Sequence, residues 1–227
     1  MPTSHKLAQY QRLTADCRDC RRCGDQVRTP RGCERPSTWA MWLGNLDARV
    51  VIVGQDPAGA DKVDPSDPAS YPPGESVGTN LTLMTLLAAA NLDPKEVYLT
   101  NAILCIKLGP MNKKPLGSWV TNCRPLLRRT LDLVAPVAAI GLGAIAWKSL
   151  CRAYGARPCS LTTAISQRPV RPAQGPWLVP MFHPGPLGQA SRGLPLQMED
   201  WRIFGNWLRT QGEQTRVGAT SRSASQS

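Results

Sequence analysis

Four short apolar runs, each followed by a stretch long enough for a helix, constrain this chain more than any other feature. The first, Arg49-Val-Val-Ile-Val53, is β-branched and closed by Gly54, the pattern of a buried strand. Val97-Tyr-Leu-Thr-Asn101 and the runs 137–142 and 177–182 read the same way. Helical segments alternate with them. They are 81–90 with Asn80 or Thr79 as cap, 123–133 with Arg128 and Arg129 on its wet face, 144–154 after the Gly143 turn, and 197–208. Alternation at this spacing predicts an α/β fold, a single-domain α/β/α sandwich around a central, mostly parallel four-stranded sheet. This core occupies 47–210. An N-terminal arm, 1–46, is expected to pack on it, and 211–227, mostly Ser, Thr, Gly and Gln, is expected to be a disordered tail. No repeat at a solenoid or propeller period is present.

Open parallel sheets bind ligands at the carboxyl ends of their strands. Three of those ends carry polar groups that an apolar core would not choose. The first run leads into Gly54-Gln55-Asp56-Pro57, the second ends in Asn101, and the fourth leads into His183-Pro184-Gly185-Pro186-Leu187. A carboxylate, a carboxamide and an imidazole in one crevice form a candidate active site.

The charge balance points to the partner. Lys and Arg number 27 and Asp and Glu 16, a net charge of +11, which favours a polyanion, nucleic acid before membrane. Between Val97 and Met198 there are twelve Lys or Arg and one acid, Asp132. The span holds the His183 loop, so phosphate contact is the favoured reading over a merely solubilising surface. The longest apolar run, from Leu133 to Trp147, has 15 residues and includes Pro136. A bilayer span needs roughly 20, and no apolar signal segment follows Met1. A cytoplasmic, intracellular protein is therefore expected. In a reducing compartment its eight cysteines suggest metal or catalysis before disulfides.

Cys20-x2-Cys23 lies in the arm, and Cys105 and Cys123 lie far along the chain with seventeen residues between them. Two such pairs offer four thiolates, enough for a tetrahedral zinc or the corners of an iron–sulfur cluster. Cys17-x2-Cys20 is an overlapping alternative for the first pair. Cys33, Cys151 and Cys159 read as scattered buried cysteines. A metal at this set would pin a polar arm to the core. Ligand softness alone does not separate zinc from iron–sulfur.

Together these residues resemble the uracil-DNA glycosylase superfamily over about residues 20–208. The cysteine layout is similar to its iron–sulfur branch, family 4. There a CxxC followed closely by an arginine precedes two distant cysteines. Cys20-Arg-Arg-Cys23 with Arg28 fits this, as does Leu104-Cys105 through Asn112-Lys113-Lys114-Pro115 to Asn122-Cys123. Thr100-Asn101 and Leu142-Gly143 also fit. The two catalytic motifs depart from family 4. Gly54-Gln55-Asp56-Pro57-Ala58 and His183-Pro184-Gly185-Pro186-Leu187 look like the family 1 forms, with Gly185 where serine is usual and Ala58 where family 1 has a tyrosine.

The resemblance implies a monofunctional DNA repair glycosylase. It would flip uracil or a related deaminated base out of DNA and hydrolyse its N-glycosidic bond, leaving an abasic site. Asp56 would orient water and stabilise the cationic sugar, and His183 would donate to uracil O2. The Asn101 carboxamide would donate to O4 and accept from N3–H, a pairing the edge of cytosine does not permit. Gly54, Gln55 and Ala58 would line the base. The family's stacking phenylalanine is replaced by Ser76, which leaves Tyr71 as the nearby aromatic. Leu187, on a loop stiffened by Pro184 and Gly185, would wedge into the gap left by the base. Lys113, Lys114 and Arg192 would meet phosphates. The same resemblance implies a structural 4Fe–4S cluster on Cys20, Cys23, Cys105 and Cys123, with zinc the alternative. DNA, single- or double-stranded, is the partner, and a monomer is expected because no extra apolar helix or heptad appears. Two other readings share parts of the pattern: a non-catalytic iron–sulfur DNA- or lesion-binding protein of the same fold, and a zinc-stapled nucleic-acid-binding module.

Overall fold

The computed structural model describes residues 3–24, 27–28, 45–56, 78–107, 115–167 and 169–224, with the backbone alone for 18, 27–28, 78, 80, 106–107 and 212–224. Four strands form the central sheet: β2 (Val50–Gly54), β3 (Val97–Asn101), β5 (Ala138–Leu142) and β6 (Trp177–Met181). All three pairings are parallel, in the order β3-β2-β5-β6. The chain therefore leaves β2 for one edge and then crosses back to the other side of β2. Open parallel sheets bind ligands at such a reversal, outside the carboxyl ends of the strands. Pro180 sits in β6, an edge strand, where its missing N–H costs no ladder bond on the open side.

Side chains alternate across the sheet, as the period of two requires. Val51, Val53, Tyr98, Ala139 and Leu178 face one apolar layer. In it lie Leu13 and Cys17 of α1 (Ser4–Asp19), Trp119 and Leu127 of α3 (Gly117–Val134), and Trp147 and Leu150 of α4 (Gly143–Ala153). Val50, Ile52, Leu99, Ile140, Val179 and Met181 face the other layer. There they meet Leu83, Leu86 and Leu87 of α2 (Gly78–Ala89) and Trp201, Phe204 and Leu208 of α7 (Leu194–Ala224). Burying one such leucine or valine contributes about 1.5–3 kcal/mol, so both faces must be covered. Two six-residue helices complete the described elements of the core, α5 (Leu161–Ser166), capped by Ser160, and α6 (Pro186–Ser191).

The described part of the arm packs on the core. Thr3 caps α1 by accepting from the Lys6 N–H. Lys6 pairs with Asp47 at 2.9 Å and Asp16 with Arg129 of α3 at 2.6 Å. A two-stranded antiparallel ribbon then joins the arm to the far segment: β1 (Val27–Arg28) pairs with β4 (Ile106–Lys107).

The sheet and the sandwich match expectation, and several boundaries do not. α3 begins six residues before the expected Cys123 and carries Pro125 in its interior. Its buried stripe Trp119, Cys123, Leu126, Leu127, Thr130, Leu131 and Val134 keeps helical spacing through the proline, and packing outweighs the bond that Pro125 removes. α7 continues as helix to Ala224. Once Trp201 to Leu208 are packed, each further residue adds a bond without a new nucleation cost, and no proline stops it before 224.

Candidate active site and the cysteine group

The register aligns the ends of β2 and β3, with Gly54 beside Asn101. Two backbone bonds extend this tie, from the Ala102 N–H to Gly54 O at 2.9 Å and from the Ile103 N–H to Gln55 O at 3.0 Å. Gly54 has no side chain for a spatial reason. A Cβ there would lie 2.4 Å from Asn101 Oδ1. Asn101 is 4% exposed, and its Nδ2 has no hydrogen-bond partner among the described residues. A buried amide donor left open costs about 1–3 kcal/mol, so its vacancy at a strand end marks a position suited to a ligand acceptor.

Asp56 follows two residues after β2, and Gln55 Nε2 donates to its Oδ1 at 3.1 Å. His183 follows two residues after β6. The Gly185 N–H donates to His183 Nδ1 at 3.0 Å. Nδ1 is therefore the acceptor, and in the neutral ring the proton sits on Nε2. Burial holds the imidazole below the ordinary histidine pKa, while the nearby Asp56 carboxylate pulls the other way. The neutral ring is thus favoured, with an N–H donor free of the loop. The carboxylate, the carboxamide and the imidazole all stand at the carboxyl edge of one sheet.

The other expected contacts divide. Leu187, in the first turn of α6, is 86% exposed, the most exposed of the large apolar side chains described. Pro184 and Gly185 are buried and shape the loop rather than present a surface. Arg192 is engaged within the protein. It forms two bonds to Asp200, at 2.5 and 2.9 Å, and the Asp200 side chain is 3% exposed. Part of the basic span is neutralised in the same way, since Arg128 pairs with Asp132 at 2.8 Å. Ala58, Tyr71, Ser76, Lys113 and Lys114 lie outside the described residues.

The cysteines of arm and core converge. Cys105 and Cys123 are buried, and Cys20 and Cys23 are half-buried. The Cys105 thiol donates to the Cys123 sulfur, which raises the Cys105 pKa and lowers that of Cys123. Cys20 and Cys23 lie within electrostatic reach of Cys105. Burial raises Cys23, and a bond from Asn122 Nδ2 to its sulfur at 3.5 Å opposes the rise. The same amide donates to Arg22 O at 2.9 Å, and an Arg22 guanidinium N–H returns a bond to Asn122 O at 3.4 Å. This reciprocal clasp holds the arm's cysteines against α3. Cys17 belongs to the apolar core, and burial pushes its thiol up to about 12. Among the described residues, no three His, Cys, Asp or Glu side chains are set closely enough to hold a metal ion.

Sequence reasoning missed Asn122, Asp200 and Gln189 as members of these arrangements. Asn122 and Arg22 are 100 residues apart, and no local pattern signals their bond. Asp200 lies eight residues from Arg192 across the break between two helices, outside any helical spacing rule. Gln189 Nε2 donates to Pro184 O at 2.7 Å and to Thr82 Oγ1 at 3.2 Å, which braces the His183 loop against α2.

Comparison with known proteins agrees with this geometry. A type-5 uracil-DNA glycosylase of Pyrobaculum aerophilum is 28% identical over 191 residues, covering 76% of this chain and 79% of that protein. A type-4 uracil-DNA glycosylase of Thermotoga maritima is 28% identical over 144 residues, 63% of this chain and 68% of the relative. Another of Archaeoglobus fulgidus is 30% identical over 134 residues, 59% of each. The family model described as the uracil DNA glycosylase superfamily matches residues 41–204, a span that holds all three strand-end groups and Cys105 and Cys123. On that match over most of its length, with Asp56, Asn101 and His183 at the mouth of its four-stranded parallel sheet, the chain belongs to the uracil-DNA glycosylase superfamily.

Proposed function

We propose that this protein excises uracil, or a closely related deaminated base, from DNA by hydrolysing its N-glycosidic bond. The observation that carries the reading is the buried Nδ2 of Asn101 at the end of β3, which has no hydrogen-bond partner among the described residues. Uracil presents two carbonyl acceptors flanking one N–H donor. The Asn101 amide donates to O4 and accepts from N3–H, whereas cytosine offers an amino donor where O4 stands and is refused. The base must leave the helix to reach this depth, and the exposed Leu187 suits the space it vacates.

Bond cleavage develops negative charge on the base and positive charge on the sugar. His183 meets the first through its Nε2–H, aimed by the Gly185 bond at Nδ1. A neutral imidazole is the suitable donor, because it stabilises the anion without giving up its proton. Asp56, with Gln55 on one carboxylate oxygen, meets the second charge and orients the attacking water. The products are the free base and an abasic site.

The cysteine group fits an iron–sulfur cluster in donor chemistry. It offers four thiols, with an Asn122 N–H directed at Cys23 and an S–H and the Leu104 backbone bonding Cys123. Cys20, Cys23, Cys105 and Cys123 would hold it, and zinc is the alternative for the same thiols. When bound it supplies a cross-link between arm and core rather than a step of the reaction.

The test is Asp56→Asn in single-turnover excision, with DNA binding measured in parallel. The reading expects a loss of about 10²–10⁴ in rate with binding retained. Equal loss of rate and binding contradicts the role given to Asp56.

A further inference from the structure

The short helix α6 is clamped at both ends by side chains that the reaction does not use. At its start, Gln189 reaches back to Pro184 O and across to Thr82 of α2. The Gly188 and Gln189 N–H groups both close on Gly185 O at 3.0 Å. At its end, the Arg192 carbonyl accepts from Gln197 Nε2 at 2.9 Å, and the Arg192 guanidinium grips Asp200 with two bonds. Gln197 and Asp200 are 1% and 2% exposed on α7, the helix that packs Trp201 and Phe204 beneath the sheet.

Six residues cannot hold a helix by themselves. Gly185, Gly188 and Gly193 around it raise the entropy that ordering must overcome. Its order therefore comes from the clamps. Arg192 is spent on this grip: a planar fork matched to a buried carboxylate is a fixed strut, not a cation waiting for phosphate.

We propose that Asp200 is a positioning residue. By holding Arg192 it keeps α6 folded before DNA arrives, so that Leu187 is presented as a ready wedge. The inference rests on the glycosylase reading. A wedge matters where a base must be drawn from a stacked duplex. It is dispensable on a single strand, where no complementary stack closes behind the base. Preordering the wedge spares the complex the cost of ordering it at the moment of flipping.

The experiment is Asp200→Asn in the full chain. Excision of one uracil is timed in a duplex and in the same strand alone, and amide exchange across 185–192 is measured without DNA. The expected result is loss of exchange protection in α6 by about tenfold or more. The duplex rate should fall by about ten- to a hundredfold, with the single-strand rate within about twofold. Gln197→Leu, which removes the bond to the Arg192 carbonyl, should give the same split and serves if Asp200→Asn folds poorly. Unchanged protection, or equal loss on both substrates, overturns the proposal. So does tighter duplex binding with a steeper salt dependence, the sign of a freed Arg192 on phosphate. A wild-type protein inactive on both substrates overturns instead the glycosylase reading beneath it.

Discussion

Gly54→Ala isolates the base-recognition geometry with the smallest change available. The added Cβ would lie 2.4 Å from Asn101 Oδ1 and 3.6 Å from its Cγ. Side-chain carbons do not approach other atoms closer than 3.0 Å, so the carboxamide must retreat by at least 0.6 Å, the difference between the two distances. Gly54 is not among the glycines with positive φ, so alanine brings no backbone strain. Misplacing a positioning group by about 1 Å costs about 10²-fold in rate, or about 2.7 kcal/mol of transition-state stabilisation. We therefore expect kcat/KM for uracil in DNA to fall by about 10- to 100-fold. The melting temperature should move by no more than about 4 °C, the equivalent of about 1 kcal/mol. Fluorescent-strand cleavage after alkali gives the rate and circular dichroism the melting. Adding Asn101→Ala to Gly54→Ala should cost less than Asn101→Ala costs alone, because both damage one contact. A folded Gly54→Ala protein at wild-type rate, or strict additivity with Asn101→Ala, would refute the argument that Asn101 reads the base.

Three further outcomes follow from the same geometry. In Gly185→Ser the new Cβ stands 2.9 Å from His183 Nδ1 and 3.2 Å from Thr79 Oγ1, so the ring must turn and the rate should drop about tenfold; an unchanged rate would show that the Gly185–His183 bond does not aim the imidazole. The His183 pKa is lowered on folding from 6.5, so the unfolded chain binds more protons just below that pH; the stability His183 contributes is complete above about 6.5 and is lost as pH falls through the depressed value. Melting measured against pH should show that loss in the wild type and not in His183→Asn, and identical curves would contradict it. Cys105→Ala should lower soluble yield, bound metal and melting temperature together, and unchanged metal content would remove Cys105 from the ligand set.

The sheet was legible because its strands are short apolar runs closed by polar ends, a pattern local to a few residues. The strand-end placement of Gly54, Asp56, Asn101 and His183 was legible for the same reason, since a parallel sheet gathers its carboxyl ends at one edge. What escaped was non-local. The Asn122–Arg22 clasp and the β1–β4 ribbon join segments far apart in the chain, and the ribbon has only two residues per strand. The Arg192–Asp200 pair escaped because an arginine's partner is set by folding and not by its neighbours in sequence. The start of α3 escaped because Pro125 reads as a helix boundary, while the stripe from Trp119 to Val134 carries the helix through it.

The most direct test of the central claim is excision from matched duplexes that carry a single uracil, hypoxanthine, xanthine or mismatched thymine, followed by alkaline cleavage of abasic sites. The account predicts a cut at uracil that disappears in Asp56→Asn and is strongly reduced in Asn101→Ala. No cut at any of the four bases, by a folded protein that still binds the duplex, would contradict it.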